Sequence, residues 1–344
     1  MPYSSENRIT IKDIAEELGV STATVSNVIH GKTKKISERT IIKVQEKLEE
    51  SGYIPNMAAV LLAQNSSKII CVVLSDDKKY EGEMIKDPFV SAILNGLSHN
   101  IEDAGYFMMF KAEPEIKRII QYASMWNMAG LILIGYCKQE YDELRSRIHI
   151  PFVVIDGYFQ KSEKYANIAI DNFDGGYQAG CYLRNCGHEN VMFLSDNDSC
   201  GDHERFLGFY KAFEECGILL PKEAFKLLPV KRDLRKTYFE EIRKELPDYT
   251  AAFCASDLYA IEFMNDLWDH GIAVPEVFSV IGFDDIPAAS LVRPSLTTIH
   301  QDMDQRALVA VKKLDMLVKG SGNVENEVLP VCLIERNSVR KIVP

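Results

Sequence analysis

The 344-residue sequence predicts an α/β chain, with a small all-α headpiece in front of two doubly wound parallel-sheet lobes. Three observations predict it. Residues 11–30, IKDIAEELGVSTATVSNVIH, carry the apolar spacing of two short helices that cross at a glycine turn. From Lys68 onward the pattern changes to short, continuous apolar runs alternating with amphipathic stretches, which is the mark of parallel strands covered on both faces by helices. This second part also holds more strand candidates than one sheet needs, so two lobes are expected.

The first stretch is a helix-turn-helix pattern. Ala15 is small enough to let two helices cross closely, and Gly19 can take the positive φ of a tight turn. Ile14, Leu18, Val20, Val25 and Val28 supply the inner faces, and Ser21 stands where an N-cap for the second helix belongs. Val25, Val28 and Ile29 then point inward. Thr22, Ala23, Ser26, Asn27 and His30 fall on the outer side, where a recognition helix would face DNA. Thr24 on the same helix and Lys35 in the next loop are further candidates. GKTKKIS is a loop, Ser37 caps a third helix with Ile41, Val44 and Leu48 on its inner face, and Gly52 ends it. Tyr53-Ile54-Pro55-Asn56 breaks the helical run, MAAVLLAQ is one short helix, and NSSK is a link. The expected domains are a headpiece over 1–53, a hinge helix and linker over 54–67, and a two-lobed core over 68–344.

Strands are expected at 69–74, 106–110, 130–135, 151–156, 190–196, 251–256 and 278–284. Helices are expected around the stripe Phe89, Ile93, Leu97 and Ile101, and at 115–126, 174–186, 204–216, 233–246, 258–270 and 303–318. Several strand candidates end in polar groups: Asp76, Asp156, Ser195-Asp196, Ser256-Asp257 and Asp284-Asp285. One acid at a strand end is commonly a helix cap. Their recurrence suggests a shared cleft beyond the carboxyl ends of the strands.

Composition bounds the function. A hydrophobic share of 47% with 26% charged residues describes an ordinary folded protein. No apolar run nears the roughly 20 residues of a membrane span, and MPYSSENRIT has no signal-peptide core, so a cytoplasmic protein is expected. Eight cysteines without a CxxC pair are expected to be reduced, buried thiols, with neither disulfide nor zinc. The seven histidines show no metal spacing, and no GxGxxG, GxxxxGK[ST] or GxSxG motif is present, so no cofactor, metal or catalytic residue is expected. The net charge of −11 lies wholly beyond residue 65, because residues 1–65 hold eight basic and eight acidic side chains. Within that part no acid lies between Ser21 and Ile36, so Lys32, Lys34 and Lys35 form a local basic patch suited to phosphate.

From about Ile9 to Val339 the chain resembles the lactose-repressor (LacI/GalR) family of bacterial transcription regulators. The carrying segments are IxDIAEELGVSxxTVSxVIxG, YIPN, DPF, AGLILIG, GHENVMFLS, ERFLGF, CASDLYAI, GIAVPEVFSVIGFDDI and PSLTTI. The resemblance implies a homodimer on a near-palindromic double-stranded DNA operator and a periplasmic-binding-protein-like core controlled by a small-molecule effector. It implies hinge contacts in the minor groove from Asn56 and Ala59, with Leu62 as the wedge that kinks a base step. It also implies effector contacts from Phe89, Asp156, Arg205, Ser256 and Asp284. Two departures stand out on the DNA-binding side and one in the effector cleft. Asn27 replaces a frequent Arg, which moves the expected base from guanine toward adenine, and Val60 and Ala63 leave the hinge without its usual cations. Ser256 replaces a frequent Asn, which removes a paired donor and acceptor. A carboxylate-rich cleft with one Arg suits a sugar or sugar derivative first and a purine or nucleoside second; a phosphorylated carrier protein and a cytoplasmic enzyme are the alternatives.

Overall fold

Strand and helix form in the core where apolar residues let both faces of a strand, or one face of a helix, be buried. A computed structural model of the chain describes residues 9–29, 31–53, 67–75, 82–136, 138–157, 166–321 and 325–342. The chain divides into two units, Met1–Asn65 and Ser66–Pro344.

The first unit contains α1 (Ile11–Leu18), α2 (Thr22–Ile29) and α3 (Glu38–Glu50). Ile14, Ala15, Val25, Val28 and Val44 are its buried centre, with Leu18, Val20, Ile41 and Leu48 packed around them. Thr10 and Asp13 form a reciprocal capping box at the start of α1, and Gly19 ends it at φ +64°. The Thr24 N–H donates to Ser21 Oγ at 3.1 Å, and the Thr40 N–H to Ser37 Oγ at 3.3 Å, so both expected serine caps are present. The expected short helix MAAVLLAQ, with Asn56, Ala59, Leu62 and His30, lies outside the described residues.

The second unit holds two six-stranded sheets. One contains β1 (Ile69–Leu74), β2 (Phe107–Ala112), β3 (Gly130–Ile134), β4 (Phe152–Ile155), β5 (Asn167–Ile170) and β11 (Glu327–Leu329), in the order β11-β5-β4-β3-β1-β2 and parallel throughout. The other contains β6 (Val191–Ser195), β7 (Phe225–Leu227), β8 (Ala251–Cys254), β9 (Ser279–Asp284), β10 (Thr297–His300) and β12 (Cys332–Ile334), in the order β12-β10-β9-β8-β6-β7. Only its edge strand β12 runs antiparallel, against β10. The chain therefore passes between lobes after β5, after β10 and between β11 and β12.

Helices α4 (Pro88–Asp103), α5 (Ile116–Met125), α6 (Lys138–Arg147), α7 (Asn172–Asn185), α8 (Cys200–Glu214), α9 (Arg232–Glu245), α10 (Asp257–Asp269), α11 (Pro287–Leu291) and α12 (Met303–Val318) complete this unit. All seven expected strands and all seven expected core helices are present, with ends shifted by a few residues. Five short strands (β5, β7, β10, β11, β12) and helices α6 and α11 were not expected. Ile93, Leu97 and Ile101 of the expected stripe are fully buried, and Phe89 is half-buried.

The thiol expectation needs correcting. Cys71, Cys186 and Cys254 are buried and no described cysteine is in a disulfide, but Cys216 and Cys332 are exposed. Cys216 closes the surface end of α8 and Cys332 lies on an edge strand, so neither has a second layer over it.

Candidate functional site

The sheets run so that the carboxyl ends of β1, β3 and β4 meet those of β6, β8 and β9 across one cavity of about 440 Å³. Phe89, Asp156, Arg205, Ser256 and Asp284, named from sequence, all line it. Asp87, Asp196 and Asp202 line it too. Asp257 and Asp285, also at strand ends, do not line it. Asp257 turns into the protein, and Asp285 pairs with Arg336 at 2.6 Å and His300 at 3.0 Å. Asp76, Tyr80, Tyr158 and Phe159 lie outside the described residues, and Phe173 sits 40% exposed on α7 away from the lining.

Each lining residue is delivered by a definite piece of backbone. Asp87 caps α4, its Oδ1 accepting the N–H groups of Phe89 at 2.9 Å and Val90 at 3.1 Å, which sets Phe89 at the cavity wall. Ser256 caps α10 by accepting the Tyr259 N–H at 3.3 Å. Its hydroxyl is thus partly committed before any ligand arrives. Asp156 follows the end of β4 and Asp284 is the last residue of β9, with φ of +56° and +113°. Such values are rare for a residue with a Cβ and mark backbone held in place by its surroundings.

For the β9 bend those surroundings centre on Asp257. Its fully buried carboxylate accepts the Ile286 N–H at 2.8 Å and the Thr298 hydroxyl. Gly282 is required beneath it, because a Cβ there would lie 2.1 Å from Asp257 Oδ1. Burial, followed by the neighbouring Asp284, holds the Asp257 carboxyl well above the usual carboxylate range.

Arg205 is brought in by a close helix crossing. A Cβ on Gly176 of α7 would stand 1.9 Å from the Arg205 carbonyl oxygen, and one on Gly208 of α8 the same distance from that of Phe173. Only glycine permits this approach. The guanidinium then donates from Nε to Asn172 Oδ1 at 2.9 Å and from Nη1 to the Ala255 carbonyl, and pairs with Asp202 at 3.3 Å. Its central carbon Cζ lies 3.6 Å from the Phe283 ring centre, a cation–π contact.

Two residues that the sequence reading did not single out complete the site. Arg306, fully buried on α12, donates from Nη1 to Gln301 Oε1 at 2.8 Å and from Nη2 to Asp156 Oδ1. Gln301 Nε2 in turn donates to Asp284 Oδ1 at 2.6 Å. A hydrogen-bonded path therefore joins the cavity carboxylates of the two lobes. The signal was present: Arg306 falls on the inward stripe of Ala307, Ala310, Val311 and Leu314, where a cation needs a partner. Burial raises the Asp284 carboxyl to about 7, aided by Asp87 and Asp202 and opposed by Arg205 and Gln301.

In the separate headpiece unit, Thr22, Ala23 and Lys35 are exposed, and Thr24, Ser26 and Asn27 are half-buried. Lys32 and Lys34 are exposed as well. The Thr24 hydroxyl is 2.9 Å from Ser21 Oγ, so it serves the helix start as much as the surface. Among the described residues no cluster of His, Cys, Asp or Glu could hold a metal, and no helix is long and apolar enough to cross a membrane.

Residues 10–56 match the family model described as bacterial regulatory proteins, lacI family, and residues 181–339 match a periplasmic binding protein-like domain. The chain is similar, at 31% identity, to the HTH-type transcriptional repressor PurR of Escherichia fergusonii over 96% of each chain. It is 28% identical to the HTH-type transcriptional regulator MalR of Clostridium butyricum, over 96% of this chain and 99% of the relative. A crystal structure of the lac repressor dimer bound to operator and the anti-inducer ONPF superposes with a TM-score of 0.84 at 23% identity, over 97% of this chain and all of that one. A complex of the transcriptional regulator CelR with cellobiose gives a TM-score of 0.72 at 23% identity, over 96% of this chain and all of that one. These two likenesses concern the fold.

Proposed function

The chain belongs to the lacI family of bacterial regulatory proteins, a family of DNA-binding transcription regulators, and from that premise we infer a repressor that acts as a homodimer on a near-palindromic operator. Its effector is a sugar or sugar derivative held in the cavity between the core lobes. The observation that carries the effector reading is the convergence of Asp156, Asp284, Arg205 and Phe89, from four different elements of two lobes, on one 440 Å³ space. Carboxylates accept hydroxyls, the guanidinium donates to ring and hydroxyl oxygens, and an aromatic face covers the apolar side of a sugar ring. Because the lining comes from both lobes, a ligand touching both has different affinity for open and closed arrangements, which is what control by an effector requires.

On the DNA side, Thr22, Ala23, Thr24, Ser26, Asn27 and His30 address the major groove, and Lys35 the phosphates. Asn56, Ala59 and Leu62 address the minor groove through the hinge. Phe89 also favours a second reading, a purine or nucleoside whose planar base stacks on that ring.

Thermal unfolding against sugars, sugar derivatives and nucleosides tests the effector reading. A true effector at 100 times its Kd stabilises the protein by about 2.7 kcal/mol. No shift across the panel would overturn it and point to a protein partner such as a phosphorylated carrier. Fluorescence anisotropy with duplexes from the protein's own promoter region tests the operator reading, and binding no tighter than to random duplex would sink it.

A further inference from the structure

Arg306 is a buried cation in the wall of a cavity rich in carboxylates. The described lining contains five aspartates, one arginine, and neither lysine nor histidine. The arginine, Arg205, is already engaged by Asn172, the Ala255 carbonyl and Asp202. The Arg306 side chain is 0% exposed while its partner Asp156 keeps 17%, so the carboxylate meets the cavity and the cation stands behind it. A pair this deep adds little to stability, since desolvation offsets the attraction, and Arg306 Nε has no hydrogen-bond partner among the described residues. The larger effect of the pair falls on the charge that the cavity presents.

We propose that Arg306 is a specificity-determining residue through its pair with Asp156: Arg306 cancels the charge of Asp156 and so disfavours an aminated ligand, while Asp156 covers Arg306 and so withholds its charge from a phosphorylated or carboxylated one, which leaves an uncharged polyol as the preferred form. This rests on the reading that the cavity takes the effector. A phosphate placed there meets five aspartates against the one lining cation, Arg205, which already pairs with Asp202, whereas a hydroxyl finds lone pairs on the carboxylates. Removing Arg306 exposes the full charge of Asp156, and an ammonium group gains there. Removing the charge of Asp156 instead frees Arg306, and an anion gains.

The test uses the full-length protein and isothermal titration with matched sets: hexoses, pentoses and nucleosides, each with its amino analogue and its monophosphate. In the unmodified protein the monophosphate of the parent that binds is expected to bind at least about tenfold more weakly. In Arg306→Met the ratio of amine to parent affinity rises about tenfold or more, and Arg306→Lys restores the original ratio. Asp156→Asn moves selectivity the other way, toward the monophosphate, and serves as the independent measurement if Arg306→Met does not fold. A monophosphate that binds as tightly as its parent overturns the proposal while leaving the effector reading intact, as do ratios unmoved by either substitution. If no parent, amine or phosphate binds, the effector reading fails and this proposal with it.

Discussion

Asp284 sits in backbone that a residue with a Cβ rarely adopts, at φ +113°, and its neighbour Asp285 follows at +57°. The bend is held by Asp257 beneath, Gln301 at the tip and Arg336 on Asp285. The result is a half-buried carboxyl at the cavity wall, raised by desolvation from its ordinary 3.8 to about 7. The folded protein therefore holds a proton that the unfolded chain has released between about pH 4 and pH 7. Stability falls as pH rises through that window and levels off above it, the reverse of a salt-bridged carboxylate. In Asp284→Asn this contribution disappears. Thermal midpoints at pH 5 and pH 8 are expected to differ less in the variant than in the unmodified protein, and an equal difference would show that Asp284 is not the titrating group. Asp257→Ala is a harsher change, because it strands the Ile286 N–H and the Thr298 hydroxyl in a dry site. The cost is about 2–3 kcal/mol, measurable by urea unfolding.

The α7–α8 crossing carries this logic to the scale of elements. Gly→Ala inside a helix ordinarily stabilises, by roughly 0.5–1 kcal/mol. At Gly208 the sign reverses, since the added Cβ would lie 1.9 Å from the Phe173 carbonyl oxygen and the helices must part. Gly208→Ala is expected to cost about 1–3 kcal/mol in urea unfolding and to weaken effector binding, because Arg205 rides on α8 beside the contact. A stabilised variant would contradict the close packing. Which elements could be seen beforehand follows from the same physics. β1, β3, β4, β6, β8 and β9 are central strands buried on both faces, so their apolar runs stand out unaided. β7, β11 and β12 are three-residue edge strands with exposed positions, and β5 and β10 interleave polar residues such as Asn167 and Thr297 that only the assembled fold buries. The cavity residues at strand ends were legible because strand ends are. Gln301 and Arg306 were not, since their meaning depends on carboxylates 17 and 150 positions away in the chain.

Over the whole molecule, charge is divided between the two units. Residues 1–65 are neutral, while the remainder holds 31 basic against 42 acidic side chains and so all of the −11. A core so acidic repels the phosphate backbone, and the affinity for DNA has to arise from a small cationic surface on the headpiece. Lys32, Lys34 and Lys35 are exposed between α2 and α3 with no acid from Ser21 to Ile36. The proposed hinge over 54–67 offers no comparable charge, since Val60 and Ala63 are neutral. Each phosphate neutralised by such a side chain contributes about 0.9 to the slope of log K against log salt. The triple variant Lys32→Ala, Lys34→Ala, Lys35→Ala in the proposed dimer removes six of these cations, so the slope is expected to become shallower by up to about 5. Base preference at Asn27 should be retained, because phosphate contacts position the helix while base contacts specify the sequence. Asn27→Ala is the complementary change, lowering discrimination at one position of each half-site by about 1–3 kcal/mol with the salt slope kept. Anisotropy titrations of both variants over a range of salt separate the two effects. An unchanged slope in the triple variant would mean that the phosphates are met elsewhere, and that the lysine loop is only a solvated turn.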